Sequence, residues 1–363
     1  MGMKLRVGVI GLGAIGQNHI NAYQKIEDCE VVAICDIIPQ VLESTAKRLN
    51  IDKSRAFTDY RDLLKLKELD AVSICTPPFL HARMTIDAAA AGKHILCEKP
   101  MAMNTREAYE MVEACQKAGV KLALCWSRQK FGPVVDTAKE YIDSGKLGRI
   151  YYARSTGLVF RRRPGIDVLV ESKWFLDSSK AGGGALFDVG GYDLDLVLYL
   201  LGNPRPISVS AMTFRGVGET KVDTVFDVEE HATIFVRLDN GCVLTLEKAW
   251  AANMENTEEI IILGSKGGLK LISPQIGGGY VSYYTERNGN CVVSTLNVPP
   301  PFPIDISINV IRDFVKACLE DKRPRTTGED GLLIMQIMEM SYLSAKLRRE
   351  VAYEEYIKGI QNI

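Results

Sequence analysis

The chain has 363 residues, enough for two ordinary domains, and its 47% hydrophobic and 25% charged residues are the composition of a globular protein. With 44 basic and 45 acidic residues the net charge is −1, which argues against nucleic acid or a charged membrane surface as the main partner. No apolar run reaches the roughly 20 residues of a transmembrane helix. The opening MGMKLRVGVIG enters a strand at once, without a signal-peptide layout, so a cytoplasmic protein is expected.

In chain order, LRVGVIGLG is a continuous apolar strand running into a glycine turn, with a helix behind it to about residue 27. The strand CEVVAICD, a helix at 39–49, a short strand at 55–57 and a helix at 59–66 come next. AVSICTPP, HILCEK and KLALCW are further buried strands, separated by helices at 79–91 and 104–118. Fully apolar strands alternating with helices predict a parallel sheet covered on both faces, a doubly wound Rossmann unit over residues 1–125. From about 149 the rhythm changes. Segments 149–160, 206–214, 229–238, 241–250, 258–264, 268–273 and 280–285 read as strands, interrupted by a helix at 185–201. Turn signals at Asp239-Asn240-Gly241 and Lys266-Gly267-Gly268 predict a mainly antiparallel open sheet. Helices at about 304–320 and 330–347 close this second domain, 126–363. The nine cysteines are scattered, several in apolar strand-like runs, and read as small buried hydrophobes in a reducing compartment. With no CxxC and four histidines, no metal site is expected.

Gly11-Leu12-Gly13-Ala14-Ile15-Gly16 lies between a strand and a helix, where glycines permit a tight turn, close approach to a pyrophosphate and helix–strand packing. Asp36 ends the second strand twenty residues after Gly16, placed to accept from ribose hydroxyls and to repel a 2′-phosphate. Ile37 and Ile38 supply no cation for that phosphate, so NAD is favoured over NADP. Thr76-Pro77-Pro78 follows the fourth apolar strand on the cofactor side and reads equally as a rigid turn; His81 reads as a helix-start residue rather than a catalyst, and is counted with that loop on the cofactor side. Glu98-Lys99-Pro100 follows the next strand and points Lys99 into the crevice where nicotinamide would lie, so Glu98 and Lys99 are counted on the cofactor side, although a lysine there taken alone reads as a solvated surface residue. In the second domain Asp188, Tyr192, Asp195 and Tyr199 recur at i, i+4, i+7 and i+11, a polar stripe on a leucine-rich helix. That stripe suits either substrate hydroxyls or a polar interface. Gly182, Gly183 and Gly184 before it allow their N–H groups to face a ligand, or form a flexible lead.

GVIGLGAIG, CDI, the CTPP loop with His81, AGKHILCEKPMA, GGGALFDVGGYDLDLVLYLLG and EDGLLIMQIMEMSYLSAKLRREV together resemble the glucose–fructose oxidoreductase / inositol dehydrogenase (Gfo/Idh/MocA) family over nearly the whole chain. The resemblance implies NAD-dependent oxidation of a secondary hydroxyl of a sugar, inositol or related polyol, with Lys99 catalytic beside the nicotinamide. Many members carry Asp-x-x-x-His where this chain has Asp188 and Tyr192. Tyr stands there too in the branch with glucose–fructose oxidoreductase and in dihydrodiol dehydrogenase. Losing the hydroxyl proton requires an acceptor, and a phenol beside an ammonium such as Lys99 gives up its own proton more easily. Tyr192 is therefore the expected acceptor, with Asp188 orienting substrate or relaying the proton. The family also places a basic loop where Arg161-Arg162-Arg163 stands, so Arg161 or Arg163 grips substrate or the loop is simply solvated. Arg128 follows the sixth strand beside QKFGP, which is similar to the family's RFxP, and is grouped with the substrate side. Trp174 either covers a sugar ring or fills the core. Rival readings are an NAD-dependent glycoside hydrolase working by transient oxidation and elimination, and a cofactor-binding regulator. The free face of the second sheet predicts a homodimer or homotetramer.

Overall fold

The computed structural model describes residues 4–218, 222–272, 279–298 and 306–361. The predicted positions 273, 304 and 305 lie outside these residues. Two compact units form, one from residues 1–128 and 305–332, the other from 129–304 and 333–363.

In the first unit the chain runs β1 (Leu5–Ile10), α1 (Ala14–Tyr23), β2 (Cys29–Cys35), α2 (Pro39–Leu49), β3 (Ala56–Phe57), α3 (Tyr60–Leu64), β4 (Ala71–Ile74), α4 (His81–Ala90), β5 (His94–Cys97), α5 (Thr105–Ala118) and β6 (Leu122–Leu124). The sheet order is β3-β2-β1-β4-β5-β6, and every neighbouring pair is parallel. All four residues of β4 are buried, as expected of a strand covered on both faces. Strand order reverses between β1 and β4, and the loops beyond their carboxyl ends are where such a sheet binds ligands.

The second unit begins with α6 (Pro133–Asp143) and continues through β7 (Ile150–Leu158), α7 (Ser178–Ala181) and α8 (Gly191–Leu201). Then come β8 (Pro206–Phe214), β9 (His231–Leu238), β10 (Val243–Ala249), β11 (Thr257–Gly264), β12 (Gly267–Ile272), β13 (Gly279–Arg287) and β14 (Asn290–Val298). The chain closes with α9 (Ile306–Leu319), α10 (Gly328–Leu347), β15 (Val351–Ala352) and α11 (Tyr353–Gln361). These strands form a nine-stranded sheet, β14-β13-β12-β11-β7-β10-β9-β8-β15. Every pair is antiparallel except β7 and β10, whose last residues, Leu158 and Ala249, lie side by side. Strand β9 alternates as a half-covered sheet should: Ala232, Ile234, Val236 and Leu238 are buried, and the residues between them are more open.

Four expectations change. Helix α9 packs on α1 and β1, so residues 305–332 belong with the first unit rather than the second. The helix expected at 185–201 starts as a π-helical turn, Leu186–Gly190, and becomes α-helical only at Gly191. The β11–β12 turn is Ser265–Lys266, and Gly267 lies within β12, where a Cβ would sit 2.8 Å from the Tyr283 ring. Helix α6 and strand β14 were not anticipated. No described helix is long and apolar enough to cross a membrane.

Candidate functional site

The glycine turn after β1 has the shape its sequence implies. Gly11 has φ +87°, and a Cβ there would lie 2.8 Å from the Cys75 carbonyl oxygen. A Cβ on Gly16 would lie 1.9 Å from the Gly11 carbonyl oxygen, whereas one on Gly13 would meet nothing within 4 Å. Two glycines therefore close the turn and the middle one leaves room beside it. Gly13 offers no side-chain cap to α1, and the first turn holds no acidic residue, so its N–H groups are left to a phosphate. Asp36 accepts the Leu12 N–H at 2.7 Å and the Ile38 N–H at 2.9 Å, one on each oxygen. This fixes the carboxylate beside the turn with lone pairs remaining for hydroxyls. Ile37 and Ile38 follow exposed, and neither is a cation. Open space at Gly13, uncapped N–H groups and an anchored Asp36 fit a dinucleotide whose ribose carries free hydroxyls.

At the next two loops His81 opens α4, the helix-start place expected of it. His81 is fully buried, with Nε2 2.7 Å from the Thr76 carbonyl oxygen and Nδ1 2.8 Å from that of Pro100. Burial lowers its pKa against the pull of both carbonyls, so the ring is neutral and donates to one of them. His81 braces the loops after β4 and β5, with both ring nitrogens taken up by backbone carbonyls. Of the loop it braces, Pro77 is exposed, and the Thr76 hydroxyl turns to Met84 Sδ at 3.5 Å.

Beneath Lys99 lies a buried polar chain that the sequence did not announce. Glu98 Oε2 accepts the Lys99 N–H at 3.0 Å, while Oε1 meets Arg128 at 2.7 Å and His19 Nε2 at 3.1 Å. His19 Nδ1 continues to Ser73 Oγ at 3.2 Å, and Ser73 to the Tyr23 hydroxyl at 2.8 Å. Burial pushes the Glu98 carboxyl up, but Arg128 and His19 outweigh it and hold it well below the usual carboxylate range. Glu98 thus stays ionised and anchors the Lys99 backbone. Arg128, grouped with substrate on sequence, is paired to Glu98 with its side chain 27% exposed. His19, Glu98 and Cys125 bring donor atoms within 4.8 Å of one another, yet a dication among them would meet the Arg128 guanidinium on the same Glu98 oxygen.

In the second unit the polar stripe divides. Asp195 forms an ion pair with Lys130 at 2.8 Å, both fully buried, and Lys130 lies 5.1 Å from the Tyr199 ring centroid. Asp195 is therefore structural, where it was read as a possible hydroxyl ligand. Asp193, not singled out before, accepts from Ser155 at 2.7 Å and pairs with Lys248 at 2.7 Å. Gly157 makes room for that ammonium, since a Cβ there would stand 2.4 Å from Nζ. Asp188 and Tyr192 stay half-buried, and Asp188 Oδ2 accepts the Trp250 indole N–H at 3.1 Å. Of the glycines before the helix, Gly184 faces an internal acid. Gly184 N–H and Leu186 N–H donate to the two Glu229 carboxylate oxygens at 2.8 and 2.9 Å, and the Tyr342 hydroxyl donates to Oε1 at 2.9 Å. A Cβ on Gly184 would lie 1.9 Å from the Glu229 carbonyl oxygen, so glycine is required by close approach.

The basic loop is also resolved. Arg163 is buried and pairs with Asp167 at 2.8 Å and Glu230 at 3.1 Å, so the substrate grip expected of it is spent inside the fold. Arg161 ties the end of β7 to Ala252 and Asn253, at 3.3 and 2.8 Å. Trp174 stacks on Phe175 with centroids 3.9 Å apart and keeps 37% exposure, so it does not fill the core.

Comparison with known proteins agrees with this architecture. Residues 5–125 match a family model described as an oxidoreductase family with an NAD-binding Rossmann fold, and residues 135–270 match the GFO/IDH/MocA C-terminal domain. The D-glucoside 3-dehydrogenase of Escherichia coli K12 is 28% identical, over 94% of this chain and 95% of its own. The myo-inositol 2-dehydrogenase of Thermotoga maritima is 25% identical, over 97% of this chain and 100% of its own. The structure of levoglucosan dehydrogenase in complex with NADH and L-sorbose is 26% identical, covers 97% of this chain and 99% of its own, and superposes with a TM-score of 0.83. The chain belongs to the Gfo/Idh/MocA oxidoreductase family, with an NAD-binding Rossmann unit and the family's C-terminal domain.

Proposed function

We propose that this oxidoreductase removes hydride from a secondary hydroxyl of a sugar, inositol or related polyol. The observation that carries the reading is Lys99, half-buried at the carboxyl end of β5 on a backbone pinned by ionised Glu98. When bound, NAD supplies the hydride acceptor. Gly11, Gly13, Gly16 and the start of α1 hold its pyrophosphate, Asp36 its adenosine ribose, and the 76–78 loop borders the same side. Lys99 polarises the hydroxyl oxygen and stabilises the negative charge that develops there. Tyr192, as the phenolate, takes the proton, and Asp188 orients the hydroxyl or passes the proton on. Trp174 offers an exposed ring face, and Arg161 a polar head, to the rest of the substrate. Incubation with NAD and a panel of aldoses, glycosides and inositols should give net NADH with some members. Aglycone release without NADH would favour the hydrolytic cycle, and binding without turnover a regulator.

Two further expectations follow from the fold. NAD should bind more tightly than NADP, and Asp36→Ala should narrow the gap in fluorescence titrations; equal binding by the parent protein would refute the role given to Asp36. The face of the nine-stranded sheet opposite α8 is the proposed contact between copies. Light scattering should then return a multiple of 40.2 kDa, and a monomer at micromolar concentration would contradict it.

A further inference from the structure

We infer that Trp250 is a positioning residue that acts through Asp188, set in place by the Glu229–Glu230 segment. The inference rests on the reading that Asp188 serves the hydroxyl proton. An indole N–H can only donate, and a buried one needs an acceptor. Trp250 is 3% exposed, and its acceptor is Asp188 Oδ2. The ring cannot swing away. It packs with Ala185 and Val228, and Val189 and Phe226 close against that cluster. Its backbone is held on both sides, with Trp250 N–H donating to the Glu230 carbonyl and Arg162 N–H donating to the Trp250 carbonyl, each at 2.8 Å.

The helix start is gripped by the neighbouring residue. Glu229 takes Gly184 and Leu186 N–H on its carboxylate and Ala185 N–H on its carbonyl oxygen, the last at 3.0 Å. Two adjacent residues thus fix both partners of the Trp250–Asp188 bond. Asp188 lies in the π turn that precedes α8, outside the regular α-helical winding that carries Tyr192. The indole N–H is a partner that aims this carboxylate from outside the helix. Trp250 also follows the last residue of β10, at the carboxyl end of the one parallel pair in this sheet.

The test is a double-mutant cycle of Trp250→Phe and Asp188→Asn, read by single-turnover NAD reduction at saturating substrate, with KM for NAD and Tm as controls. Phe keeps an aromatic ring and removes the donor. Trp250→Phe should lower the rate about tenfold, the worth of a hydrogen bond to a charged group, and leave KM for NAD within about twofold. In the Asp188→Asn background the same change should cost less than about twofold, because the carboxylate that the indole aims is gone even though the amide still accepts the N–H. An undiminished loss in that background, or no loss in the parent, would overturn the inference while leaving the role of Asp188 intact. Wild-type turnover by Asp188→Asn alone would overturn that role and the inference with it. If Phe unsettles the fold, 3-benzothienylalanine at position 250 keeps the bicyclic shape without the N–H, and the same outcomes apply.

Discussion

Lys99→Met is expected to lower the rate constant of NAD reduction by about 10²–10⁴ while folding and NAD affinity hardly change. Met retains an unbranched stem for the half-buried seat but neither charges nor hydrogen-bonds the reacting oxygen. The loss should appear in kcat and in kcat/KM alike, because the interaction is made mainly as negative charge develops on that oxygen. Glu98 keeps its other partners, His19 and Arg128, so the loop after β5 has reason to stay in place. Stopped-flow absorbance of NADH, with Tm as the control for folding, would measure it. Turnover within about threefold of the parent would remove Lys99 from the chemistry.

The second large effect separates two acceptors. Tyr192→Phe preserves ring and helix and removes one hydroxyl; if Tyr192 takes the proton, the rate should again fall by about 10²–10⁴. Asp188→Asn keeps the shape and loses the base, and its amide still offers an oxygen to the Trp250 N–H. A smaller loss, of about tenfold, is expected if Asp188 only orients or relays. Abolished turnover with Asn at 188 and tolerance of Phe at 192 would make the carboxylate the acceptor and reverse the order. Tolerance of both would leave this helix structural. The pH at which each variant's rate levels off identifies the surviving base.

Much of the fold was legible because apolar periodicity reports burial directly. LRVGVIG, AVSIC and HILC could only be covered strands, and the alternation through residues 231–238 could only be a sheet with one open face. The cofactor turn was legible because its glycines answer to local sterics: Gly16 fails by contact with Gly11, five residues away. What was not legible depends on partners distant in sequence. Nothing around Asp195 announces Lys130, and nothing around Gly184 announces Glu229, 45 residues on. The same holds for Arg163, read as gripping substrate or solvated, whose partner Glu230 lies 67 residues on. Helical spacing placed Asp188 and Tyr192 on one line, but the π turn is a backbone choice made with the Glu229 clasp and the Trp250 wedge, both outside the helix. Helix α9 was given to the wrong unit because amphipathic spacing shows which face is apolar, not which surface it will cover.

The most direct test follows the hydride. A sugar or polyol that turns over is prepared with deuterium on the carbinol carbon, and the NADH formed is examined by mass spectrometry. Deuterium is expected in the reduced cofactor, one label for each molecule of ketone product. Turnover that leaves the label in the sugar, with aglycone released and no labelled NADH accumulating, would contradict the net oxidation proposed for this chain.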